Sequence, residues 1–127
     1  MVFTRVLFSL HYIIMGYIKH HTIVVVSWDK EKLKVVHRKA RRIFKKHLPH
    51  AENLVSEIIR SSINDYHSFF VAPDGSKEGW FNSDWGDEAR KEFVEYIKSL
   101  AYEDGSNSIN FVELFFGEDD GEAEILD

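Results

Sequence analysis

The sequence of 127 residues contains no cysteine and only two prolines, Pro49 and Pro73. The lack of cysteine excludes disulfides, thiolate-bound metals and cysteine nucleophiles. It also fits a reducing compartment, so we expect a cytoplasmic protein. Each proline follows a stretch of regular pattern, and we expect Pro49 to end a helix and Pro73 to end a strand.

Long apolar runs are also missing. The first eighteen residues, "MVFTRVLFSLHYIIMGYI", are shorter than the roughly 20 apolar residues that a membrane span needs, and Ser9 and His11 interrupt them. No small-residue cleavage site follows, which argues against a signal peptide. We interpret residues 1–18 as an apolar N-terminal extension, with Met15 as an alternative start, and residues 19–127 as one domain. We expect no membrane partner.

The familiar catalytic and cofactor motifs are absent as well. "GSKEGW" lacks the glycine spacing of a phosphate loop, and no pair of histidines has the spacing of a metal site. We therefore nominate no catalytic residue, no metal ligand and no cofactor, and an enzyme is the less favoured class. Nucleic acid is not an expected partner, because the first strand lacks the stacking aromatics of an RNA-recognition module. The nine Lys and Arg residues between Asp29 and His50 fit a solvated helix face.

The apolar pattern predicts an α+β domain. "HTIVVVSW" predicts a strand buried on both faces, followed by a helix over Asp29–His47 with Ser27 or Asp29 as N-cap. "NLVSEIIRSSI" and "YHSFFVA" predict two strands joined at Asn64-Asp65, and a second helix is expected over Asp84–Tyr102, with Asp84 as its N-cap. "INFVELFF" predicts a fourth strand and "AEILD" a short fifth. The order is β-α-β-β-α-β, which predicts a ferredoxin-like fold with two helices on one face of a four-stranded antiparallel sheet.

All three tryptophans fall next to predicted strand or helix ends. If the first and third strands are parallel neighbours, "SWDK" and "PDGSKEGWFNSDWGD" leave the same rim of the sheet, where both helices begin. Helix N-termini favour anions, and tryptophans offer flat aromatic surfaces. We therefore predict a binding site for a phosphorylated, nucleotide-like ligand, made by Ser27, Trp28, Lys77, Trp80, Trp85 and Arg90. The alternative is that these tryptophans only fold the loop onto the core.

The other face of the predicted sheet is also apolar. Ile23, Val25 and Phe111 or Val112 are expected to lie on it, and such a face is rarely left wet. The sequence therefore predicts a homodimer through the open sheet face, or a cover supplied by the N-terminal extension.

The pairing of "GYIKHHTIVVVSW" with "APDGSKEGWFNSDWGDEAR" resembles small phage- and prophage-encoded proteins of unknown function. The resemblance implies no catalytic residues. It implies a protein that binds something of the host, in a counter-defence role. Two functions follow as expectations: a binding protein for a small phosphorylated molecule, or an interaction module that inhibits a host protein through the same aromatic loop.

Overall fold

The β-branched run near the start of the domain forms the central strand of the sheet. In the computed structural model, which describes residues 18–50, 53–76, 81–117 and 124–126, strand β1 spans Lys19–Ser27. Its alternate residues Ile23 and Val25 are fully buried, whereas Val24 between them is 37% exposed. The strand is therefore fully buried on the face of Ile23 and Val25 but only in part on the other, where Thr22 is buried and Val24 is exposed, so the predicted burial of both faces is not met along the whole strand.

Helix α1 spans Lys30–His47, as predicted, and Asp29 is its N-cap. The Asp29 carboxylate accepts a hydrogen bond from the Lys32 N–H at 3.1 Å, which satisfies one of the free donors of the first turn. The helix ends where the Leu48 N–H donates to the Phe44 carbonyl, just before Pro49. Its buried stripe faces the sheet and comprises Leu33, Val36, Ala40, Ile43 and Phe44.

The next two strands form a hairpin. β2 (Ile59–Arg60) is much shorter than predicted, and β3 (His67–Val71) is the third predicted strand. The turn between them contains Asn64 and Asp65, both with positive φ of 54° and 55°. Asn and Asp tolerate that left-handed backbone better than most residues, so the predicted turn is confirmed.

Helix α2 spans Phe81–Ser99. It begins three residues before the predicted start, so Asp84 lies in its first turn and is not the N-cap. Among the residues that the structure describes, no helix is both long and apolar enough to cross a membrane.

The last two strands complete a five-stranded sheet. β4 spans Asn110–Gly117 and β5 spans Glu124–Leu126, so the short fifth strand is confirmed. The order across the sheet is β2-β3-β1-β4-β5, and every neighbouring pair is antiparallel.

The antiparallel pairing of β1 with β3 contradicts the predicted parallel pairing. Ile23 lies opposite Val71, and Ser27 lies opposite His67. The reason is the hairpin: α1 returns the chain so that β2 runs parallel to β1, and the tight turn then brings β3 back antiparallel between them. The chain therefore leaves β1 and β3 at opposite ends of the sheet, and the two helices start at opposite ends.

Both helices pack on one face of this sheet. Phe93 of α2 is fully buried, and its ring centroid lies 6.5 Å from that of Phe44 on α1 and 6.3 Å from that of Phe69 on β3. The helices run antiparallel, because Lys46 pairs with Glu92 whereas Lys39, earlier in α1, lies over the ring of Tyr96, later in α2. The core thus lies between helices and sheet, and the opposite sheet face is left without a second layer in the described part of the chain.

Candidate functional site

Ser27 and Trp28 lie at the end of β1 that faces His67. The Ser27 hydroxyl is fully buried, donates to the Ser108 carbonyl at 2.8 Å and accepts from the Asp29 N–H at 3.0 Å. These contacts tie the exit of β1 to the segment before β4. Trp28 is 57% exposed.

The remaining predicted site residues follow β3 and so belong to the other end of the sheet. Trp85 and Arg90 lie on α2, whose N-terminus follows the Val71 end of β3. Lys77 and Trp80 fall outside the described residues. The prediction that all three tryptophans converge on one rim depended on a parallel β1–β3 pair. Since that pair is antiparallel, Ser27 and Trp28 do not share a site with Arg90.

A pocket of about 150 Å³ lies at the Arg90 end. We call it the Arg90 pocket. It is enclosed by the first half of β1, the C-terminal end of β4, the segment after β3 and the first turns of α2. Its lining consists of Lys19, His21, Asp74, Ser76, Ser83, Asp87, Arg90 and Phe115.

Arg90 is the most deeply buried charge of this pocket, with a side chain only 3% exposed. Its Nη2 lies 3.4 Å from Asp74 Oδ2 and its Nη1 lies 3.9 Å from Asp87 Oδ1. Charge-assisted hydrogen bonds are usually about 2.7–2.9 Å long. The buried Nε has no hydrogen-bond partner in the described part of the chain. The guanidinium therefore retains unused capacity to donate hydrogen bonds.

Gly86 makes room for the pair of Asp74 with Arg90. A Cβ atom at this helical position would contact the Asp74 carboxylate and would lie 2.8 Å from Arg90 Nη1. Asp74 is held from the other side, because its Oδ1 accepts from the Ser76 N–H at 2.8 Å and from the Ser76 hydroxyl at 2.6 Å. The glycine in α2 therefore allows the segment after β3 to approach the helix closely.

A buried histidine–glutamate pair forms the sheet side of the site. His21 Nε2 lies 2.7 Å from Glu113 Oε2, and the imidazole stacks on Phe115 at 4.0 Å between ring centroids. Because an ionised carboxylate only accepts, Nε2 carries the proton and Nδ1 is left as an acceptor. Nδ1 is buried and, among the described residues, has no partner.

Burial shifts the pKa values of two groups that line the pocket, His21 and Asp87. It lowers the pKa of His21, and the positive charge of Arg90 lowers it further, while the hydrogen bond to Glu113 opposes both. Burial also raises the pKa of Asp87, although Arg90 acts in the opposite direction. At neutral pH the histidine is therefore mainly uncharged.

Sequence reasoning named Arg90 but missed His21 and Glu113. Alternation could have found His21, because it shares the face of Ile23 and Val25, where a polar residue needs a partner. Glu113 is 92 positions away in the chain, so only the register of β1 with β4 brings the two together. In the described residues no cluster of three or more His, Asp or Glu side chains could hold a metal ion.

Comparisons with protein-family models, with curated proteins and with solved structures find no significant match to this chain.

Proposed function

We propose that this chain is a binding protein for a small phosphorylated molecule, with the phosphate held in the Arg90 pocket. The observation that carries the proposal is the guanidinium of Arg90, which is buried in the wall of a cavity but makes only long contacts with the described residues. Arginine offers a planar fork of N–H donors that matches phosphate oxygens. A bound phosphate would supply the short hydrogen bonds that Asp74 and Asp87 do not.

The charges around the pocket are consistent with an anion despite the two acids of its lining, Asp74 and Asp87, and the nearby Glu113. Lys19 adds a second cation to the lining. Asp74 accepts from Ser76, and Glu113 accepts from His21. Burial raises the pKa of Asp87, while the positive charge of Arg90 acts in the opposite direction. Asp74 and Glu113 thus each accept a hydrogen bond, and Asp87 lies 3.9 Å from Arg90.

The size of the pocket limits which part of the ligand it accepts. About 150 Å³ is the space of roughly five water molecules, whereas pockets that enclose a drug-sized ligand measure about 300–1,000 Å³. The cavity therefore fits a phosphate group with a few neighbouring atoms. The rest of a nucleotide-like ligand would lie outside it.

Calorimetric titration of the full chain with phosphate probes tests this function. We expect saturable binding of inorganic phosphate or a nucleoside monophosphate, weaker binding of a cyclic nucleotide, whose phosphate is a diester, and none of acetate. Arg90→Lys keeps the charge but loses the fork, and should weaken binding at least tenfold. The matched control is Arg41→Lys, because Arg41 forms an exposed pair with Glu57. A correctly folded protein that binds none of these probes, or an Arg90→Lys variant that binds as well as the wild type, would refute the proposal.

Exposed tryptophans favour a second candidate, an interaction module that inhibits a host protein. Trp28 and Trp85 are 57% and 45% exposed, and tryptophan is enriched at interface hot spots. This function predicts that Trp85→Ala or Trp28→Ala weakens a purified complex while phosphate binding is unchanged. Under the phosphate proposal, Arg90→Lys would weaken phosphate binding and leave the protein complex unchanged.

The finer fold assignment and the biological setting are proposals too. The β-α-β-β-α-β order, with β3 between the parallel strands β1 and β2, supports a ferredoxin-like domain that carries β5 as an addition. That fold hosts many unrelated functions and does not choose among them. The resemblance to phage proteins supports a counter-defence role in the host cytoplasm, in which the protein sequesters a nucleotide signal.

A further inference from the structure

The sheet face opposite the helices carries a row of exposed apolar side chains. We call this the open face. Val24, Phe70 and Phe116 are exposed members of this face on β1, β3 and β4, with 37%, 43% and 38% of their surface exposed. Strand register places further residues on the same face, at positions paired with or alternating with these: His20, Thr22, Val26, Ile59, Ser68, Asn110, Val112, Leu114 and Ile125.

The open face has no charge among its described residues, because none of them is Asp, Glu, Lys or Arg. This contrasts with the helical side, where charged residues are frequent. One polar group on the face is already satisfied, since the Thr22 hydroxyl donates to the Val71 carbonyl at 2.6 Å. A partner for this surface therefore needs neither charges nor many hydrogen-bonding groups, and a second copy of the same face meets that requirement.

The area of the face is close to what a stable dimer requires. Five strands at about 4.8 Å spacing give a width of roughly 24 Å, and β1 at about 3.3 Å per residue gives a length of roughly 30 Å. Since β2 and β5 are short, the projected area is roughly 600 Å². Side-chain relief raises the accessible area above the projection, towards the ~800 Å² per partner of a standard interface.

The edges of the sheet are poor alternatives for association. β2 has two residues and β5 has three, and short edge strands offer few free backbone groups for pairing with another chain. We infer that two copies of this chain pack open face to open face about a two-fold axis, forming a homodimer whose interface includes Val24, Phe70 and Phe116. The Arg90 pocket lies on the helix side of the sheet, so the dimer does not depend on the proposed ligand.

Light scattering of the full chain after size exclusion tests the dimer. We expect the wild type to have twice the chain mass of 14.9 kDa and Val24→Glu to have the single mass with an unchanged circular dichroism spectrum. Val35→Glu is the matched control, because Val35 is exposed on α1, and it should remain a dimer. A wild-type mass of 14.9 kDa, which is expected if another part of the chain covers the face, overturns the inference.

A second measurement keeps the inference testable if Val24→Glu does not fold. A wild-type sample that mixes carbon-13-labelled and unlabelled chains gives isotope-filtered NOEs only between copies. We expect such NOEs between the methyl groups of Val24 or Leu114 and the rings of Phe70 or Phe116. Intermolecular NOEs that involve only helix residues, or none at all, would also overturn it.

Discussion

His21 Nε2 lies 2.7 Å from Glu113 Oε2, on adjacent strands and within the buried side of the sheet. The two residues are diagonal neighbours, because His21 itself pairs with Phe115. The histidine thus stacks on its direct partner and donates to the diagonal one. Its ring orientation is fixed by both contacts, which leaves Nδ1 as a buried acceptor at the pocket.

The first prediction concerns the pH dependence of stability. Burial and Arg90 lower the folded-state pKa of His21 below its usual 6.5, despite the opposing effect of Glu113 and of the Asp87 charge. Between the two pKa values the unfolded chain binds more protons than the folded one, so stability rises with pH through this window. We expect the free energy of unfolding to decrease below pH 6.5, and to decrease less in His21→Gln.

Urea denaturation at a series of pH values measures this difference. His50→Gln, which replaces an exposed histidine, is the control for the loss of an imidazole. Identical slopes for wild type and His21→Gln would contradict the expected lowering of the pKa.

The second prediction contrasts a buried ion pair with an exposed one. Arg90→Met keeps much of the side-chain volume but leaves the carboxylate of Asp74, which is 11% exposed, without its cation. Removing one member of a buried pair costs about 3 kcal/mol. Arg41→Met removes the shorter pair with Glu57, at 2.8 Å, but both side chains are exposed, so the loss should be far smaller. Chemical denaturation of both variants measures the contrast, and equal losses would show that burial does not govern these pairs.

The third prediction concerns the close approach at Gly86. Gly86→Ala improves the helix by up to about 1 kcal/mol, but its Cβ would displace the Asp74 carboxylate and Arg90 Nη1. We expect the free energy of unfolding to change by less than about 1 kcal/mol, because these opposing effects offset each other. The nitrogen-15 signal of Arg90 Nε should nevertheless shift, and calorimetry should show weaker phosphate binding.

Gly105→Ala is the contrasting variant. Gly105 has φ of 88° and no atom within 4 Å of its Cβ position, so the substitution strains the backbone and leaves the pocket intact. It should lower stability by about 1 kcal/mol and leave the Arg90 Nε signal in place. If Gly86→Ala also left that signal unchanged, the Cβ contact would not be displacing the pair.

Local patterns predicted most of the elements, because each depends on nearby residues. The β-branched run gave β1, and Asp29 with the apolar stripe gave α1. The direction of β3 follows from the predicted crossover and the Asn64-Asp65 turn, which together make β3 antiparallel to β1, so the predicted parallel pairing conflicted with the predicted elements themselves. Because the predicted direction of β3 was wrong, Ser27 and Arg90 were expected at the same end of the sheet. In the structure they lie at opposite ends, so the predicted tryptophan rim does not form.

The pocket was harder to predict than the strands that surround it. Its walls come from four segments that meet only after the sheet has formed. Arg90 was noticed because a cation near a helix start favours anions. His21 and Glu113 were not nominated as site residues, because their contact depends on the β1–β4 register.

The last prediction separates a structural from a ligand-binding role for Ser27. Its hydroxyl bonds both the Ser108 carbonyl and the Asp29 N–H, and the side chain is fully buried. Ser27→Ala leaves these two groups without a partner and should lower stability by about 2 kcal/mol. Ser99→Ala is the control, because its hydroxyl donates to the Tyr96 carbonyl in an exposed position and its loss should matter little. Phosphate affinity should be unchanged in both variants, since Ser27 lies at the end of β1 away from the Arg90 pocket. If the Ser27→Ala protein had normal stability but no longer bound phosphate, Ser27 would have a ligand-binding role and not a structural one.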